Sequence, residues 1–123
     1  MKHCLPLIFA LSAIGTAHAG ELPEAFLGEW ASENVGDHGI TITQRQYHEP
    51  GYHCDIRSVQ QKSEAATRRP VYLVVMSCSD EGPRPFLVRE IWAMRKIGSD
   101  NFLAIAGVSG PTFPSINVLH RPK

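Results

Sequence analysis

Cys54-Asp55-Ile56-Arg57-Ser58-Val59-Gln60 and, after a polar interval, Val71-Tyr72-Leu73-Val74-Val75-Met76-Ser77-Cys78 decide the fold. The first segment, from Tyr52 to Gln60, alternates, with Cys54 and Ile56 on one face and Val59 on the other. The second is a continuous apolar run. Alternation marks a half-buried strand, and an unbroken apolar run marks a strand covered on both sides. Between them, Lys62 to Arg69 is polar and reads as a turn or a short exposed helix. In an antiparallel hairpin, facing positions sum to a constant. Setting Cys54 against Cys78 centres the turn at residue 66, inside the polar interval. The same register sets Ile56 against Met76, Ser58 against Val74 and Gln60 against Tyr72. Facing Cβ atoms lie roughly 4.5–5.5 Å apart, within reach of a disulfide. The spacing therefore predicts a Cys54–Cys78 bond between adjacent strands.

Working outward, the pattern repeats. Glu29–Ser32, Ile40–Gln44, Phe86–Met94, Phe102–Val108 and Ile116–His120 read as further strands, separated by turns rich in Gly, Pro, Asn and Asp. Pro23 to Leu27, ended by Gly28, makes one helical turn. The connections are too short for helical crossovers, so neighbouring strands run antiparallel. About seven or eight strands in this order predict an all-β domain. It is an up-and-down antiparallel barrel or barrel-like sandwich with a short N-terminal helical turn and one disulfide.

The N-terminus carries a different signal. Lys2-His3 precede a short apolar run from Leu5 to Ile14, and Ala17-His18-Ala19 follows. This is the order of a secretory signal peptide, cleaved after Ala19. The run is far shorter than the roughly 20 residues of a bilayer span. The expected organisation is a signal peptide over 1–19 and a single β domain over 20–123, exported to the periplasm or beyond. An oxidising compartment agrees with the disulfide.

Composition excludes several functions. Twelve Lys and Arg balance twelve Asp and Glu, so the chain lacks the electrostatic footprint of a nucleic-acid binder. No later segment is apolar enough to span a membrane. No nucleophile elbow, P-loop, zincin or dinucleotide motif is present, and both mature cysteines are committed to the disulfide. The reading is non-enzymatic, with no cofactor. Tyr47-His48-Glu49-Pro50-Gly51-Tyr52-His53 holds two histidines and a glutamate. Histidines five positions apart match no recognised ligand spacing, so no metal site is assigned.

Two groups of residues remain as candidate sites. Trp30, Phe86 and Trp92 are large aromatics that fill a core or wall a cavity. In an up-and-down meander, turns at 45–51, 79–85 and 107–115 share one end and present Tyr47, His48, Arg84 and Phe113 as partner contacts. Turns at 32–39, 62–70 and 97–101 share the other end, with Asp37, His38, Lys62, Arg68 and Arg69. Phe113, between Pro111 and Pro114, either plugs the open end of the core or meets a partner. The partner class is an unknown protein or a small apolar ligand.

Gly28-x-Trp30, directly behind the helical turn, resembles the start of calycin-type (lipocalin-like) barrels, which place a glycine and a tryptophan on the first strand. A signal peptide, a small barrel and one disulfide also resemble the exported bacterial inhibitors of proteases and lysozyme. The resemblance implies a non-enzymatic barrel that blocks a hydrolase or carries a ligand.

Overall fold

The structure, a computed structural model, describes residues 20–33, 36–63, 69–110 and 115–122. A 3₁₀ turn (Glu24–Phe26) precedes eight strands: β1 Gly28–Ser32, β2 Gly36–Ile42, β3 Gln46–Glu49, β4 Tyr52–Ser63, β5 Pro70–Ser79, β6 Phe86–Ile97, β7 Asp100–Ser109 and β8 Ile116–His120. Each strand pairs antiparallel with the next, and β8 returns to β1 through Ala31 and His120, closing an up-and-down barrel. Closure removes the exposed sheet edges that an open meander would leave. Among the described residues, no helix is long and apolar enough to cross a membrane. Residues 1–19 and Phe113 lie outside the described residues.

Alternation fills the barrel. Trp30, Ile40, Ile42, Tyr47, Cys54, Val59, Val74, Met76, Val88, Trp92, Leu103 and Leu119 are buried in one cluster. Outward-facing Val71, Leu73 and Val75 are half-buried. The continuous apolar run in β5 therefore has one covered face, not two.

Cys54 and Cys78 are joined, with Cα atoms 3.9 Å apart, and face each other in the register. The expected register holds through Ile56–Met76 and then changes. Ser58 faces Val75, Val59 faces Val74, and Gln60 faces Leu73. Arg57 is the extra residue of a β-bulge, two residues opposing one partner. The bulge also corrects the facing of Val59. Strict alternation would turn it outward, yet it is buried beside Cys54.

The second correction concerns β3. Residues 45–51 read as one loop, but Gln46–Glu49 is a strand. One added strand reverses the direction of everything before it. The β1–β2 connection therefore lies at the same end as the β3–β4, β5–β6 and β7–β8 connections, and the other end gathers β2–β3, β4–β5 and β6–β7.

Replacing both Cys54 and Cys78 by alanine removes a link that closes a loop of about 25 residues, worth roughly 3–4 kcal/mol. Denaturant unfolding of the mature domain should show that loss with an unchanged barrel spectrum. An unaltered midpoint would contradict it.

Candidate binding site

The two ends of the barrel are built differently. At the end holding the 3₁₀ turn, the last strand runs into Arg121, whose guanidinium lies 3.8 Å from the centre of the Trp30 ring. It donates to the carbonyls of Glu29 (2.9 Å), Ala25 (2.9 Å) and Leu27 (3.0 Å). The Trp30 indole N–H donates to Phe26 O at 2.9 Å. Gly28 explains its own place in Gly-x-Trp. Its φ is +110°, and a Cβ there would sit 3.1 Å from Arg121 Nη1. Gln44 adds a two-point clasp on the backbone of Leu22, each bond 2.8 Å. This end is thus tied shut. A shallow apolar groove beside it is lined by Pro23, Phe26, Pro70, Tyr72 and Met94, with a volume of about 280 Å³.

From Phe26 a chain of aromatic rings runs up the barrel. Phe26 meets Tyr72 edge-on at 5.3 Å and Trp92 at 6.5 Å. Tyr47 lies 6.0 Å from Trp92 and 6.1 Å from Tyr52, and Tyr52 stacks on Phe86 at 6.2 Å. Trp30 and Trp92 are fully buried and Phe86 half-buried, so all three act as core.

The rings end in a recess of about 100 Å³, floored by Met76 and Ile105 and walled by Tyr47, Glu49, Tyr52, Glu90, Ser115 and Asn117. Its carboxylates come from strand alternation. On β6, Val88, Glu90 and Trp92 all face inward, and on β3 Tyr47 and Glu49 share the inner face. Glu90 is 7% exposed and accepts from the Trp92 indole N–H at 2.9 Å. The Tyr47 hydroxyl donates to Glu49 Oε1 at 2.8 Å, and the Tyr52 hydroxyl reaches Cys78 Sγ at 3.3 Å. Among the described residues that line the recess, none is basic. Burial pushes both phenols up from their ordinary range, and the charges of Glu49 and Glu90 push them further. They remain neutral hydroxyls in a negative field.

The expected contact residues divide. Tyr47 is buried within the barrel, because β3 is a strand and Tyr47 occupies its inner face, where it walls the recess. His48 is exposed on the outer face and Arg84 is exposed in the connection after β5. Glu49 and Tyr52 were noted only within a stretch weighed for metal binding, and Glu90 and Arg121 were not singled out. Glu90 carried a readable signal, a charge at an inward position between Val88 and Trp92.

No family model, curated protein or solved structure matches the chain.

Two outcomes follow from this geometry. Arg121→Ala removes a ring contact and three charge-assisted hydrogen bonds and should cost about 2 kcal/mol in urea unfolding, with Arg121→Lys intermediate. In alkali, Tyr47 and Tyr52 keep their protons in the fold but lose them near pH 10 when unfolded. Their contribution is complete below about pH 10 and is lost as pH rises further. Phenolate absorbance of these two should therefore appear together with unfolding, not before it.

Proposed function

We propose that the protein is an exported, non-enzymatic binding barrel whose acidic recess receives a basic group, the amine or guanidinium of a partner. The carrying observation is the inward placement of Glu49 and Glu90 in a recess that no described basic residue lines. A carboxylate in a partly dehydrated recess attracts a cation more strongly than one in open water, and its bonds to an ammonium or guanidinium are charge-assisted. The recess is far below the roughly 300–1,000 Å³ of an ordinary small-molecule pocket. It suits the head of one lysine or arginine side chain, which favours a protein partner and fits a hydrolase-inhibitor-like module. Export rests on the leader pattern and agrees with the disulfide. The Gly28–Trp30 placement behind the 3₁₀ turn supports kinship with calycin-type barrels.

The alternative, a carrier of a small apolar ligand, has one supporting feature: the groove of Pro23, Phe26, Tyr72 and Met94 at the opposite end. Within the barrel, the rings of Phe26, Trp92, Tyr47 and Tyr52 pack against one another along the interior.

The two readings separate by titration. N-acetyl-lysine amide and N-acetyl-arginine amide should shift NMR signals of Tyr47, Tyr52 and Trp92. Glu49→Gln should weaken that binding about tenfold or more, as expected for loss of a charge-assisted bond of roughly 1.5–3 kcal/mol. Shifts confined to the groove with an apolar probe, and none with either amide, would replace the proposal with the carrier.

A further inference from the structure

The outer face of the β3–β4 hairpin carries a pair that the recess does not use. His48 and His53 face each other in the register, and both are exposed. Their rings stack with centroids 6.5 Å apart and planes 25° from parallel.

The backbone defines what kind of pair this is. Ile56 N–H donates to Arg45 O at 2.8 Å, so the Arg45–Ile56 position is hydrogen-bonded. Antiparallel pairs alternate, which makes Tyr47–Cys54 and Glu49–Tyr52 hydrogen-bonded and His48–His53 not. Non-hydrogen-bonded pairs bring side chains closest, with Cα atoms about 4.5 Å apart. The hairpin is also restrained. Its strands are joined by the two residues Pro50 and Gly51, with Gly51 at φ +78°, and Cys54, next to His53, is bonded to Cys78.

We propose that His48 and His53 form a two-imidazole chelating site for a divalent transition-metal ion, with copper(II) held more tightly than zinc(II). Neutral imidazole is a ligand for both, and copper(II) stands above zinc(II) in the general order of affinities. A shared ion requires only that the two rings turn from stacked to converging. That is a change in side-chain torsions on a backbone already in place. Among the described residues no group of three His, Cys, Asp or Glu is close enough to hold a metal. Asp55, the next outward residue on β4, accepts from the Gln46 side chain at 3.2 Å. Among the described residues the protein thus supplies two ligands, and water completes the set, leaving positions that a partner's ligand can take. This site is independent of the acidic recess, which opens on the other face of the same strands.

The test uses the mature domain with its disulfide intact and the metal alone, copper(II) or zinc(II) chloride. Substoichiometric copper(II) should broaden the NMR signals of 46–55 first. In calorimetric titrations, His48→Ala and His53→Ala should each weaken copper(II) binding by tenfold or more, with zinc(II) weaker than copper(II) throughout. His120→Ala and Glu49→Gln should leave the affinity unchanged, the latter separating this site from the recess. His48→Gln and His53→Gln keep side-chain bulk on the strand and should reproduce the loss at an unaltered melting temperature. Copper affinity equal to that of the unaltered domain in the His48 or His53 variants, or broadening centred elsewhere, would overturn the proposal.

Discussion

Cys54 is the residue on which the architecture turns. Its bond to Cys78 makes that pair the close, non-hydrogen-bonded kind between β4 and β5. A strand residue that does not bond its neighbour on one side turns its N–H and C=O to the other. Cys54 therefore bonds toward Tyr47 on β3, in step with the hydrogen bond from Ile56 to Arg45. Once that step is set, alternation does the rest. Tyr47, Glu49 and Tyr52 line the interior, while His48 and His53 meet on the outside. The acidic recess and the imidazole pair are two faces of one fixed register.

The barrel around this hairpin is asymmetric in a useful way. At one end, Arg121 over Trp30 clamps the last strand to the first and to the 3₁₀ turn. At the other, polar groups replace apolar ones at inward positions, and Glu90 stands where its neighbours along β6 are Val88 and Trp92. A buried carboxylate costs stability unless it is hydrogen-bonded, and the Trp92 indole meets part of that need. Arg121 and the 3₁₀ turn knit one end together, and the inward carboxylates of Glu49 and Glu90 gather toward the other.

Much of the architecture was legible in the sequence. β4 announces itself by alternation and β5 by its continuous apolar run, and the cysteine spacing gave the β4–β5 pairing. What escaped has physical causes. Gln46–Glu49 is short, polar on its outer face and flanked by Pro50-Gly51, so propensity favoured a loop while closure of the barrel required a strand. The bulge at Arg57 has no glycine to mark it, and it is decided by the need to bury Val59. His48 and His53 looked unrelated at five positions apart, because ligand spacing was judged along the chain. Across a hairpin joined by two residues, that separation makes them direct neighbours. Arg121 gave no sign at all, since its partners lie more than ninety residues away.

The most direct measurement is the pattern of Hα–Hα contacts between β3 and β4 in solution, by nuclear Overhauser spectroscopy on the oxidised mature domain. Non-hydrogen-bonded antiparallel pairs bring their Hα atoms together. The account predicts strong contacts for His48–His53 and Gln46–Asp55 and none for Tyr47–Cys54. A contact between Tyr47 and Cys54, or a ladder displaced by one residue, would place the glutamate and the histidines on the wrong faces and contradict it.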